Sequence, residues 1–214
     1  MNLDPLHALR LRTPRLELRL GTREELTALG RLAQEGIHPP EEMPFAVAWT
    51  DRSSEEGFVQ TVVEYHETTL RDWSPDDWRL NLLVFANGKL AGSQSIAAEE
   101  MATRREVHTG SWLGAAYQWQ GIGTEMRVAA LELAFRGLGV ETAHSGAIVG
   151  NDASKRVSEK LGYRVTGLST VAPRGVPLQH YDLRIDRRAW RSPVPVEILG
   201  LADCLPLFGF SESS

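Results

Sequence analysis

Cysteine is nearly missing. Cys204 is the only one in 214 residues, which excludes an intramolecular disulfide framework and points to a reducing compartment, the cytoplasm. It stands in a terminal segment away from any histidine-bearing constellation, so no thiol nucleophile is expected. Runs of Lys or Arg are absent, and a net charge of -5 argues against an electrostatic grip on nucleic acid. The opening MNLDPLHALRLRTPRL carries no apolar stretch of signal-peptide or membrane-spanning length, so no membrane association is expected. The histidines fall in neither HExxH nor Cys/His ligand spacing, so no bound metal is expected. GxxxxGK[ST] is missing, as is GxGxxG within a βαβ unit bearing a later acidic residue, and the ATPase and dinucleotide readings fall with them. There is no internal repeat or low-complexity linker, and at 42% hydrophobic the whole chain, 1–214, is expected to form one domain.

What is present alternates between sheet and helix signals. LELRL at 16–20 has the period of a half-buried strand, and Thr22 with Glu25 makes a capping box for the helix after it. A second helix is predicted over 54–70, with Phe58, Val62, Tyr65 and Thr69 on one face. Between the two, 38–54 is rich in proline and aromatics without helical period, a long structured loop of the kind that lines a site. RLNLLVFA and LAGSQSIAA are joined by Asn87-Gly88, a strong hairpin signal, and REVHTGSWLGA reads as the next strand of the meander. A helix from about Thr124, a strand ending near Val149, a helix opened by Asn151 and two further strands complete the order. Such an order predicts an α+β domain with helices covering a mixed, largely antiparallel sheet.

The stretch YQWQGIGTEMR places two glycines, Gly121 and Gly123, between a predicted strand and a helix start. Unpaired amides and the positive end of the helix dipole favour phosphate there, and glycine lets the backbone approach the ligand. Taken alone, the same glycines fit an ordinary tight turn equally well.

Four spaced stretches together resemble the GCN5-related N-acetyltransferases, the GNAT superfamily, in its RimJ/RimL-type branch. Gln118-Trp119-Gln120-Gly121-Ile122-Gly123 fits the Q/R-x-x-G-x-G/A signature, and Thr124-Glu125 continues it. Thr13-Pro14-Arg15-Leu16, Gly110 to Gly114, and Asn151-Asp152-Ala153-Ser154 running to Tyr163 agree, so the likeness covers about 11–186. MPFAVAWTD, GSWLG and CLPLFG further resemble an actinobacterial subgroup with acetyl- and succinyltransferase-like members.

This resemblance implies a V-shaped split between two central parallel strands that holds acyl-CoA, with acetyl-CoA or succinyl-CoA as cosubstrate. It assigns the pyrophosphate to the amides from Gln118 through Thr124 and the pantetheine arm to the strand edge Trp112, Leu113 and Gly114, with Leu113 N–H donating to the thioester carbonyl. Asn151 and Ser154 would bind the cofactor, and Ser154 would meet the sulfur and protonate the departing thiolate. Both residues fit plain helix capping as well. Val157 and Ser158 stand where many relatives place a tyrosine acid.

The acceptor would be a primary amine: a protein N-terminus, a lysine, a polyamine or a small-molecule drug. A protonated amine needs a base, for which Glu99, Glu100, Glu106 and His108 are the candidates. His108, at a position where relatives often carry an acid, also fits a structural sheet histidine. Met43, Pro44, Phe45, Trp49, Trp73 and Trp78 would wall the acceptor pocket or simply pack beneath the loop. A succinyl donor would need a cation near its carboxylate, such as Arg104 or Arg105. The expected activity is N-acyl transfer by direct attack in a ternary complex; the alternative is a catalytically inactive acyl-CoA sensor or scaffold. The segment 187–214, with alternating Pro, Val and Leu, is expected to pack on the core or in a homo-oligomer interface.

Overall fold

The computed structural model describes residues 1–210. Nine strands form one sheet: β1 (Arg10–Arg12), β2 (Leu16–Arg19), β3 (Trp78–Ala86), β4 (Lys89–Ala98), β5 (Glu106–Leu113), β6 (Thr142–Ile148), β7 (Arg164–Val171), β8 (Leu178–Asp186) and β9 (Glu197–Leu199). Their order across the sheet is β7-β8-β6-β5-β4-β3-β2-β1-β9. Every pairing is antiparallel except β5 with β6. The α+β expectation holds: the sheet is mixed, with one parallel pair, β5 and β6.

Local chemistry explains the elements that frame the site. Helix α1 (Arg23–Glu35) starts on the full Thr22/Glu25 capping box. The β3–β4 hairpin turns at Asn87 and Gly88, both at positive φ (48° and 77°), as a tight two-residue turn demands. Helix α2 (Phe58–Arg71) begins later than the sequence pattern implies, and it buries Phe58, Val62, Val63 and His66. Tyr65 is half exposed, a correction to the predicted face: Val63 and His66 take the inward stripe instead.

The second half of strand β3, Leu82 to Ala86, is apolar on both faces because the sheet is covered on both. Leu80, Leu82 and Val84 join the larger core with α4 (Ile122–Glu132), while Leu83 packs with Leu26, Leu29 and Val62 beneath α1 and α2. A short helix, α3 (Met101–Arg104), links β4 to β5, and α5 (Asp152–Lys160) follows β6.

The C-terminal segment folds back on the opposite edge. Strand β9 pairs with β1, and Trp73 Nε1 donates to Leu207 O at 2.8 Å. Phe208 is fully buried against the stacked Trp73 and Trp78. Of the two readings open for Trp73 and Trp78, acceptor wall or packing, the structure shows packing, in this core. Residues 211–214 lie outside the described chain.

Candidate active site

Helix α4 starts two residues before the expected point, and the loop ahead of it is wound tightly. Gly121, its N-cap, has φ of 79°, and Trp119, 80% exposed, sits at φ of 62°, a region that few non-glycine residues enter. The first amide to find a helical partner is that of Glu125, which donates to Gly121 O at 3.1 Å. Among the described residues the amides from Trp119 through Thr124 donate to no protein group. A row of free donors at a helix N-terminus is an anion site, each interaction being worth about 0.3–1 kcal/mol when exposed. Gln118 stands apart from that row: its amide goes to Ala115 O, and its side-chain Nε2 ties Ile37 O (2.7 Å) to Leu113 O (2.9 Å).

A second tie fixes the loop from outside. Glu125, buried in the first turn of α4, accepts from Thr13 Oγ1 at 2.5 Å and from Arg15 Nε at 2.7 Å. Arg15 Nη1 also donates to Gln120 O at 3.1 Å. The Thr-Pro-Arg stretch, known from the sequence only as a matching motif, thus braces the anion loop and leaves a half-exposed guanidinium beside it.

The split opens along β5. Its parallel pairing with β6 covers only Glu106–Thr142, Val107–Ala143 and His108–His144, after which the strands part. Gly114 N donates to Ala91 O of β4, so by strand alternation the amides of Leu113 and Ser111 face the opening, while those of Trp112 and Gly114 do not. This corrects the assignment of Trp112 and Gly114 as main-chain donors to a pantetheine arm. Leu113 keeps that orientation.

The two sheet faces around the split differ. On the α1/α2 face, Trp112 meets Trp49 (5.6 Å between centroids), which packs in turn on Phe45 and stacks on Phe58. Met43 is buried under the same loop. The loop is pinned across the site: Arg174, from the β7–β8 connection, holds Asp51 through Nε (2.8 Å) and Nη2 (2.6 Å) and also donates to Pro40 O. On this face His108 stacks on His144 at 5.0 Å and 22°. His108 keeps an exposed edge, and the partial desolvation of its ring first, and then His144, hold the imidazole below its ordinary value. Glu99 lines a nearby groove of about 430 Å³ with Glu64, Tyr65 and Thr68.

On the opposite face the floor of the split is polar. Thr109 Oγ1 lies 3.2 Å from the buried Tyr163 hydroxyl, and Arg127 of α4 reaches Ser111 and Ser145. At the start of α5, Asn151 Oδ1 accepts from Ser154 N at 3.2 Å, so Asn151 is a helix cap as laid out here. The half-buried Ser154 hydroxyl has no partner among the described residues. The two arginines suggested for a donor carboxylate turn elsewhere: Arg104 to Glu106 and Arg105 to Gly139 O.

Sequence reasoning missed His144, Arg127, the Arg15–Glu125 brace and the Arg174–Asp51 tie. The last three join residues from 16 to 123 positions apart, for which a single sequence offers no signal. His144 had one available cue, since it sits in the strand predicted to run parallel to that of His108.

Residues 15–164 match the family described as the acetyltransferase (GNAT) domain. With well over half of its length matched, the chain belongs to that family. Solved structures repeat its fold. RimJ from Mycobacterium smegmatis, in complex with CoA-disulfide, aligns with a TM-score of 0.68 at 16% identity, over 94% of this chain and 95% of that one. The ribosomal-protein-S5-alanine acetyltransferase from Vibrio fischeri gives 0.61 at 16%, over 85% and 98%. RimL, a ribosomal L7/L12 α-N-protein acetyltransferase in complex with coenzyme A, gives 0.61 at 18%, over 79% and 94%. At such identities the likeness is one of fold.

Proposed function

We propose that this chain is an N-acyltransferase that moves an acyl group from acyl-CoA to a primary amine by direct attack within a ternary complex. The observation that carries this reading is the row of unpartnered amides ahead of α4, contiguous with a strand edge whose Leu113 and Ser111 amides face an open split. The amides of Trp119 through Thr124 would hold the diphosphate, with Arg15 beside them. Leu113 and Ser111 offer main-chain donors to the arm and to the thioester carbonyl, in the manner of an added strand.

His108 is the base in this reading. Its depressed basicity keeps the ring neutral at pH 7 and able to take the proton from the amine nitrogen. Ser154, with a free hydroxyl, supplies a hydrogen bond to the sulfur and a proton to the departing thiolate. Met43, Phe45 and Trp49 shape the acceptor entrance, and the acidic groove at Glu99 and Glu64 favours a cationic amine. Fold neighbours named for acting on ribosomal proteins support a protein amine as the acceptor.

Thiol release from acetyl-CoA and succinyl-CoA, measured against a panel of N-terminal peptides, lysine, a polyamine and small amines, tests the proposal. Turnover with a peptide α-amine is expected. Tight CoA binding without turnover on any amine would leave the inactive sensor as the better description.

A further inference from the structure

Trp119 differs from every other tryptophan of the chain, which has six. The other five each pack against another aromatic ring, and Trp73, Trp78 and Trp190 are buried. Trp119 has no such ring beside it among the described residues and is 80% exposed. Its backbone is as unusual as its surroundings. The φ of Trp119 is 62°, and the other non-glycine residues at positive φ, Asn87, Glu100 and Arg105, are not aromatic. A bulky side chain in that region costs backbone energy that glycine would not.

The shape of the loop accounts for this torsion and not for the side chain. Left-handed residues let the successive amides of a turn converge on an anion, and at Gly121 glycine supplies the torsion. At 119 the same region is occupied by the largest side chain of all, left in water. The indole is surplus to the loop's shape, and its position says what covers it. Trp119 begins the row of free amides that ends at Thr124. A CoA diphosphate seated on that row sends its pantetheine arm inward, to Leu113 and Ser111 on β5. The adenosine hangs on the other phosphate and leaves on the solvent side, where the indole stands. Its purine is one sugar away from that phosphate, flat and aromatic, and matches an indole face.

We propose that the Trp119 side chain is a purine platform, stacked on the adenine base of the cosubstrate while its own main-chain amide helps to hold the diphosphate. Stacking of this kind is indifferent to the acyl group and to the acceptor amine. Trp119 therefore sets affinity for the nucleotide carrier and takes no part in bond making. This inference rests on the acyl-CoA reading above. An apolar patch on a protein acceptor is the rival occupant of the indole, and the test separates the two.

Calorimetric titration of CoA and of 4′-phosphopantetheine, which lacks the adenosine, into the wild type, Trp119→Gly and Trp119→Phe tests it. Glycine is the residue this torsion favours, so Trp119→Gly removes the ring and keeps the loop. The readout is the ratio of the two affinities, because a change in the amide row affects both ligands alike. That ratio is expected to fall about tenfold in Trp119→Gly, as the loss of one base stacked on one aromatic ring requires, and to stay within about threefold in Trp119→Phe. An unchanged ratio in Trp119→Gly would overturn the proposal, and so would a loss in Trp119→Phe as large as that in Trp119→Gly. A raised KM for a peptide amine at an unchanged ratio would give the indole to the acceptor instead. Failure of CoA itself to bind the wild type would remove the acyl-CoA reading together with this one; CoA binding with a ratio indifferent to Trp119 would remove this one only.

Discussion

His108 of β5 and His144 of β6 face each other on the last rung before the parallel strands separate, their rings 5.0 Å apart and 22° from parallel. His144 Nε2 lies 3.4 Å from Glu106 Oε2, which also receives Arg104. The pair stands at the apex of the split, on the face where Trp112, Trp49 and Phe45 gather. The neighbouring His144 ring adds to the desolvation that disfavours a charge on His108.

The first prediction follows from that stack. Because its basicity is depressed, His108 is neutral above its lowered pKa and able to accept a proton; activity should fall as pH drops through that value, below 6.5. His108→Gln should lower kcat by about 10²-fold or more and flatten the acidic limb. A variant that keeps the wild-type pH profile would remove His108 from the proton path.

The anion loop gives the second. Gly121 sits at φ of 79°, and a Cβ placed there comes within 3.3 Å of Arg15 Nη2. Gly121→Val should strain the loop, costing about 1–3 kcal/mol of backbone energy or shifting the amides out of line. Weaker CoA binding, by about tenfold or more, is the expected reading in calorimetry. Unchanged affinity would mean that the loop amides do not hold the ligand.

The third concerns stability. Burial pushes His66, on α2, down to about 4. Above pH 6.5 the ring is neutral in both folded and unfolded chains, so it adds no pH dependence there. Between 6.5 and 4 the unfolded chain gains a proton that the folded chain refuses, and stability should fall by about 3 kcal/mol across that window. Urea unfolding at pH 7, 5.5 and 4.5 checks it, with His66→Phe expected to lose this part of the slope.

The fourth concerns Cys204, whose thiol donates to Pro5 O and Gly200 O and is pushed up to about 11 by burial. Native protein at pH 7 should react with a maleimide only at the rate of unfolding. Rapid labelling without loss of fold would contradict the packing of the C-terminal segment.

Much of the fold was legible in the sequence because it is written locally. The Thr22/Glu25 box, the Asn87-Gly88 turn and the Gly121–Gly123 loop each carry their own stereochemical reason. The inward face of α2 departs from the sequence pattern because His66 reads as polar until burial neutralises it. The partners of strand β9 and Phe208, namely β1 and the two tryptophans, could not be named because they lie more than a hundred residues away. The site divided the same way. The loop and strand that frame the split could be named from motifs, whereas Arg127, His144 and the Arg174–Asp51 tie exist only after the strands are brought together.

In the proposed function, the free amides before α4 bind the diphosphate of a CoA thioester. Titration calorimetry of the full chain with CoA measures this most directly. Saturable one-to-one binding that Gly121→Val weakens sharply is expected. A flat titration at millimolar CoA, with no change in Tm on adding the ligand, would contradict it.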